Sequence, residues 1–385
     1  MVIAVIATEY EPTIIGGLGI VATRLSEALA ARGHEVIVLT RGSSRHIEEI
    51  RKRHLRVFRY PRESQYFSKR TQTFYADPIL KHLKKMNIRP DLIHLHSVQG
   101  DQLAEAMARY YGISTMYTCH SLLAQETIQS SFARRMEQRQ CHIIERSDAI
   151  ISPSRWQALL LTSQYPTAAE KIFVVPNGTR VTRNPRIWND RSMQHILFVG
   201  RLIRSKCALE TITAISTLRK IDRNVHLDLI GQGGRDYTAL LHKETARLHL
   251  TPHVQFLGSL SHKDVLKRMQ RTGIVVVPSR NESFGLVALE AMGTGTPLVA
   301  TRAGGLSDFV SNDTASIITN VTAQDISKAI QHVWNHPDQT LKRRYLGYSL
   351  AKQYSWEEIA RSYEKVGTGK GDLFKPQIES EGHIE

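Results

Sequence analysis

The stretch "VVVPSRNESFGLVALEAMGTGTPLVA", Val275 to Ala300, decides the fold class. Its unalternating apolar run, Val275–Val277, ends at Pro278 and reads as a buried parallel strand. A polar segment follows. The pattern then predicts a helix that begins near Ser283, an N-cap candidate, and runs to Met292, stopped by Gly293, Gly295 and Pro297. The run "TPLVAT" starts another strand, and strand, helix and strand in this order make a βαβ unit. Two carboxylates, Glu282 and Glu290, bracket the apolar segment, and their spacing asks for an explanation.

The same alternation extends in both directions. The first half carries "VIAVIA", "HEVIVLT", "DLIHLH", "STMYTCH", "DAIISPS" and "KIFVVPN". Between the first two, Leu18, Val21, Ala22, Leu25, Ala28 and Leu29 follow helical spacing, and Gly33 closes the helix. The second half starts again with "HILFVG", "VHLDLIG", "VQFLGS", "GIVVVPS", "TPLVAT" and "ASIITN". Residues 177–193 lack an apolar period and read as the linker, and the last twenty residues, from about Gly367, read as a loose polar tail. The expectation is two successive α/β domains with parallel sheets, whose strand ends are the places to look for ligands. The chain's 385 residues suit two cores better than one.

Composition narrows the class. With 41% apolar and 23% charged residues the chain is globular, and no apolar run approaches the length of a membrane span. "VIAVIA" is too short for a signal segment and reads as a first strand. Three cysteines without metal-type spacing, Cys119, Cys141 and Cys207, fit a reduced cytoplasmic setting. The net charge of +15 is shared by both halves, so no basic tail carries it. One cluster stands out: Arg41 to Arg70 holds ten basic and three acidic residues. It reads either as a solvated loop and helix face or as a surface for an anionic acceptor or a membrane face. No nucleic-acid motif accompanies it.

The strand ends carry the chemistry. Gly16, Gly17 and Gly19 precede a helix, and Gly17 to Ala22 fits the dinucleotide fingerprint G-x-G-x-x-G/A. The fit is loose, because about eight residues separate these glycines from the strand. Arg41 ends the second strand where an NAD enzyme would want an acid, which leaves only an NADP reading. His120 ends "YTCH", and His94 and His96 close another strand without a third ligand at metal spacing, so no metal is expected. Gly200, Arg201 and Lys206 follow "LFV", an arrangement suited to a diphosphate: guanidinium fork, point charge and open backbone. In the opening stretch the N–H groups of Phe284, Gly285 and Leu286 are expected at the helix start. Glu290 is expected about two turns in, ~10–12 Å along the axis from Glu282 at 1.5 Å per residue. That spacing matches a ligand with hydroxyls at both ends and charge between them.

These residues carry a resemblance. "ESFGLVALE", with "FVGRL…K" upstream and "GG" in the first half, resembles the retaining glycosyltransferase family 4 of GT-B fold, in the superfamily of glycogen synthase and phosphatidylinositol mannosyltransferase. The similarity runs from the first strand through "VVPNGTR" to "YSWEEIARSYEKV". It implies two Rossmann-like domains facing each other across a cleft: residues 1–178 on the acceptor side, joined by a crossing helix at about 355–366, and residues 179–354 binding the nucleotide sugar. It also implies site roles. Glu290 would bind the donor ribose, Glu282 the transferred sugar, and Arg201 and Lys206 the diphosphate, aided by Gly200 and by the backbone of Ser283, Phe284, Gly285 and Leu286. Gly16 and Gly17 would face the phosphate or acceptor, and His120 the reacting sugar. No cofactor is implied beyond the nucleoside diphosphate sugar itself. Two departures from the family pattern are Cys207, where Gly often follows the lysine, and Arg180 in "NGTR", where "NGVD" is common.

The expected reaction is therefore metal-independent hexosyl transfer from a UDP- or GDP-linked sugar to a hydroxyl acceptor, with retention. The protein is expected in the cytoplasm, at the inner membrane surface if the Arg41–Arg70 cluster serves there. Two alternatives are weighed against it: a sugar-nucleotide epimerase of related fold, which needs no acceptor, and an NADP oxidoreductase, which leaves Glu282, Glu290, Arg201 and Lys206 unexplained. A nucleotide-sugar-binding protein without activity would keep Glu290 and Arg201 but transfer nothing.

Overall fold

The computed structural model describes residues 1–125, 130–183 and 193–375. They divide into two compact units: Met1–Thr13, Ala22–Pro176 and the chain from Ala360 on, and Ile14–Val21 with Asn177–Ile359. Residues 184–192 of the expected linker and 376–385 of the expected tail lie outside the described residues.

Every apolar run read as a strand forms one, because an apolar segment covered on both faces buries best in a parallel sheet. In the first unit the strands are β1 (Val2–Ile6), β2 (Glu35–Gly42), β3 (Glu48–Lys52), β4 (Leu55–Pro61), β5 (Phe67–Ser68), β6 (Thr73–Phe74), β7 (Leu92–Leu95), β8 (Ser114–Thr118), β9 (Ala149–Ser152) and β10 (Ile172–Val174). Eight of them make one sheet in the order β10-β9-β8-β7-β1-β2-β4-β3. Its pairs are parallel except β3 on β4. The chain leaves β1 toward β2 on one side and resumes at β7 on the other, so the strand order reverses between β1 and β7. The Gly17–Ala31 helix follows β1 and buries Val21, Leu25 and Leu29.

The second unit holds β11 (His195–Val199), β12 (His226–Ile230), β13 (Val254–Gly258), β14 (Ile274–Val277), β15 (Leu298–Ala300) and β16 (Ser316–Ile317). They form one parallel sheet ordered β13-β12-β11-β14-β15-β16, which reverses between β11 and β14. β14 is buried along its whole length, and the helix Ala208–Leu218 buries Ile212, Ile215 and Leu218 at its turn spacing.

Two expectations are corrected. The Arg41–Arg70 cluster is not a loop and helix face: it is largely strand, the end of β2, β3, β4 and β5. β4 is masked in sequence because Arg56 and Arg59 interrupt its apolar residues, yet Leu55, Val57, Phe58 and Tyr60 are buried. β3, "EEIRK", is exposed throughout, and its charges blunt the sheet edge. The chain after Gly367 is also less loose than expected: Phe374 donates its N–H to Ile172 O at 2.8 Å and packs on the first unit's core. Among the described residues no helix is long and apolar enough to cross a membrane.

Candidate active site

Open parallel sheets bind ligands where the strand order reverses, at the carboxyl ends of the strands. In the second unit that place lies between the loops after β11 and β14. The first loop carries Gly200, exposed Arg201 and a single turn, Arg204–Lys206. The second runs from Pro278 to Gly285. A backbone bond, Arg280 N–H to Ser205 O at 2.9 Å, ties the two together. So does an ion pair: Lys206 Nζ lies 2.6 Å from Glu282 Oε1, each side chain only 17% exposed. Ser279 Oγ donates to the same carboxylate oxygen at 2.8 Å. The two groups expected at opposite parts of a ligand thus meet in this structure.

The helix that carries Glu290 starts later than its sequence suggests. It spans Leu286–Thr294, with Gly285 as its N-cap at φ 98°, ψ 51°. Only glycine takes that left-handed conformation without strain, and a Cβ there would also collide with Leu306. Ser283 is therefore outside the helix and does not cap it, and Phe284, expected to offer its N–H at the helix start, also precedes the helix, with its side chain buried. The N–H groups at the helix start belong to Leu286 and Val287, since those of Ala288 and Leu289 already bond Gly285 O at 3.0 and 3.3 Å. Glu290 is the fifth helical residue, just over one turn in and not two. Gly304 approaches the Glu282 backbone so closely that a Cβ would clash with it, and Gly305 donates to Glu282 O at 2.8 Å.

Glu290 is a buried carboxylate with a partner of its own. His262 Nε2 lies 2.6 Å from Glu290 Oε1, with side chains 8% and 4% exposed. His262 opens the helix His262–Met269, whose N-cap Ser261 accepts from Asp264 N–H. Nothing local in the sequence signals this pairing: "SHKD" reads as an ordinary helix start, and twenty-eight positions separate the two residues.

Cys207 sits at φ 60°, ψ 39°, also left-handed, as the N-cap of the helix Ala208–Leu218. That conformation is one that glycine adopts without strain, which suits the glycine the resemblance implies at this place. Burial, then the nearby Glu210, pushes its thiol up to about 11.

After β1, Gly17 opens the helix Gly17–Ala31 and Gly16 precedes it, both in the short segment grouped with the second unit, and a Cβ at Gly16 would meet nothing within 4 Å. Residues 7–15 separate these glycines from β1, so the tight strand-to-helix turn of the dinucleotide fingerprint is absent there. His120 lies just past β8, and its Nε2 is 2.9 Å from His96 Nδ1. His96 and His94, set aside in sequence for lack of a metal partner, are thus neighbours of His120. Burial holds His94 and His120 down to about 3, and burial with the adjacent imidazoles lowers His96 strongly. Among the described residues no three His, Cys, Asp or Glu are grouped as a metal site. Within the second unit the structure therefore brings together Lys206 and Glu282, with Gly285 and Leu286 at the helix start and Glu290 one turn on, and within the first unit it groups His120 with His94 and His96.

The comparisons agree with this framework. Residues 15–183 match the family described as Glycosyltransferase Family 4, and residues 187–363 match Glycosyl transferases group 1. A glycogen synthase of Mycobacterium tuberculosis is 28% identical over 95% of this chain and 94% of its own. A D-inositol 3-phosphate glycosyltransferase of Corynebacterium aurimucosum is 26% identical over 91% and 90%. Among solved structures, sucrose-phosphate synthase from Thermosynechococcus elongatus superimposes with a TM-score of 0.77, at 22% identity over 96% of this chain and 98% of that one. Anabaena HepE in complex with UDP-glucose gives 0.73, at 18% identity over 96% and 100%. Two family matches that together leave only the chain's ends and a short joint uncovered, on two parallel α/β units of GT-B type, mean that this chain belongs to the family 4 glycosyltransferases.

Proposed function

We propose that the chain transfers a hexosyl group from a nucleoside diphosphate sugar to a hydroxyl acceptor, with retained anomeric configuration and without a metal ion. The observation that carries this reading is the pairing of Lys206 with Glu282 where the second sheet reverses, beside the helix start at Leu286 and one turn before Glu290. Cation, carboxylate, open N–H groups and second carboxylate follow one another as diphosphate, sugar and ribose would require.

The chemistry breaks the anomeric C–O bond to the diphosphate and forms one to the acceptor oxygen. Negative charge grows on the leaving diphosphate as the sugar becomes oxocarbenium-like. Arg201, Lys206 and the N–H groups of Leu286 and Val287 answer that charge without reorganising, which is where preorganised electrostatics acts. The acceptor attacks on the face that the diphosphate leaves, and its proton passes to a leaving-group oxygen, so no side chain need act as base. Glu282 has one oxygen held by Lys206 and Ser279, and the other is assigned to a sugar hydroxyl. Glu290, with Oε1 on His262, offers Oε2 to the ribose. His120, with Gly16 and Gly17, is assigned to the sugar and acceptor side.

The acceptor reading draws on the basic segment. Glu49 pairs with Arg51 and Arg56, Glu27 with Lys52, and Glu63 with Lys69, which leaves fewer open cations than the sequence count. Arg41 keeps a buried Nε without a hydrogen bond, and burial and then Arg62 lower its pKa. An anionic acceptor would relieve that crowding. A cytoplasmic setting fits three cysteines that are all free.

The test is calorimetric binding of UDP, GDP, ADP and NADP to the wild type and to Glu290→Ala. One nucleoside diphosphate should bind, and the mutation should abolish it. Binding of NADP alone, indifferent to Glu290, would overturn the reading. Arg201→Ala should then lower turnover by about a hundredfold or more in a folded protein.

A further inference from the structure

His94, His96 and His120 form a cluster of which the reading above uses only one member. His94 lies on β7 and His96 just past its end, 0% and 2% exposed, whereas His120 is partly exposed. Three contacts order the cluster. His96 Nδ1 and His120 Nε2 are 2.9 Å apart. His94 Nε2 is 2.8 Å from Thr118 Oγ1, which in turn lies 3.2 Å from Tyr363 OH. The His94 and His96 rings stand 4.0 Å apart between centroids. Two nitrogens are left over: His94 Nδ1 and His96 Nε2 are buried and have no hydrogen-bond partner.

Those two orphans decide where the protons sit. Burial disfavours the imidazolium, so each ring carries one proton. A buried N–H without an acceptor is a rarer and costlier defect than a bare lone pair. His96 therefore leaves Nε2 bare and keeps its proton on Nδ1. Nδ1–H then donates to His120 Nε2, which must be unprotonated to accept. The remaining His120 proton falls on Nδ1, the nitrogen with no partner among the described residues. His94 obeys the same rule, donating Nε2–H to Thr118 Oγ1 and leaving Nδ1 bare.

We propose that His96 is a positioning residue that fixes the tautomer of His120, so that His120 offers its ligand an Nδ1–H donor and not a base. The ligand atom suited to it is an oxygen, such as a sugar hydroxyl, that accepts a hydrogen bond. The inference rests on the assignment of His120 to the sugar side. A proton-accepting role for His120 is incompatible with it, in keeping with a mechanism in which the leaving diphosphate takes the acceptor proton.

The experiment is long-range 1H–15N correlation of the full chain labelled with [15N]histidine, at pH 7, with His120→Asn used to assign the signal. The wild type should show His120 as the Nδ1–H tautomer. His96→Asn, whose amide can still donate to Nε2, should keep that pattern, while His96→Leu should lose it for a mixture. His96→Leu should also lower kcat by up to about a hundredfold, and His96→Asn should recover most of it. An Nε2–H tautomer or an imidazolium in the wild type overturns the proposal, as does an unchanged pattern in His96→Leu. The tautomer is read without substrate. A wild type with the Nδ1–H pattern but no turnover of any nucleotide sugar would support the tautomer assignment and sink the transferase reading alone.

Discussion

Lys206 Nζ and Glu282 Oε1 stand 2.6 Å apart, one on the loop after β11 and the other on the loop after β14. Each holds the other where a diphosphate sugar would separate their tasks. On the proposed reading a diphosphate competes with Glu282 for Lys206, so the two substitutions should differ in kind. Glu282→Gln should bind the free nucleoside diphosphate as well as the wild type or several-fold better, yet turn over about a hundredfold more slowly. Lys206→Met should weaken that binding about tenfold or more. It also leaves a mostly buried carboxylate without its cation, at about 1–2 kcal/mol of stability. Calorimetry and urea unfolding on both variants separate the outcomes, and equal losses of affinity would contradict the competition.

His262 and Glu290 make a second pair whose worth can be measured directly. His262→Ala strips a buried carboxylate of its partner among the described residues and should cost about 1–3 kcal/mol. Nucleotide affinity should fall about tenfold, because the carboxylate is no longer aimed. In a double-mutant cycle with Glu290→Gln the losses should be strongly non-additive for both stability and nucleotide binding. Additive losses would mean that His262 does not act through Glu290.

The fold was legible where hydrophobic burial alone set it. Runs such as "GIVVVPS" and "HILFVG" became strands because nothing but a doubly covered sheet hides them. β4 was not legible, because its arginines break the apolar run while its aromatic and aliphatic residues still pack inward. Site residues followed a similar division. Lys206 and Glu282 sit at strand ends that the alternation already located. His262 and Glu290 meet only through the packing of two helices, and no local pattern encodes that. The true start of the helix at Leu286 turns on one left-handed glycine, which out-competed Ser283 as a cap. The histidines were visible as residues but not as a cluster, since β7 and β8 had first to be paired.

The same histidines predict a pH dependence of stability. His94 is held down to about 3 by burial and then by His120, against an ordinary value of 6.5. Above pH 6.5 the folded and unfolded chains both carry it neutral, and its contribution is full. Below that value the unfolded chain takes up a proton that the fold refuses, so stability is lost as pH falls from 6.5 toward 3. The slope for one such group is about 1.4 kcal/mol per pH unit. His96 and His120, lowered by burial as well, act in the same direction, so the wild type should lose stability steeply between pH 6.5 and 5. Urea unfolding of His94→Gln at three pH values should give a slope shallower by about one proton. An unchanged slope would mean that His94 titrates in the fold.

Cys207 supplies the last test, because its backbone and its side chain pull in opposite directions. At φ 60° a side chain is strained by about 1–2 kcal/mol, which glycine would relieve. The buried thiol, packed with its Sγ 3.4 Å from Arg204 O, would be lost in exchange. Cys207→Gly should therefore change stability by less than about 1 kcal/mol and leave nucleotide binding intact, since the Arg204–Lys206 turn persists. Cys207→Val keeps the bulk but adds β-branching in a left-handed conformation, and should cost about 2 kcal/mol or more and weaken the nucleotide as Lys206 shifts. Thermal unfolding and calorimetry of the two variants decide the matter: if valine is tolerated as well as glycine, the left-handed turn is not what positions Lys206.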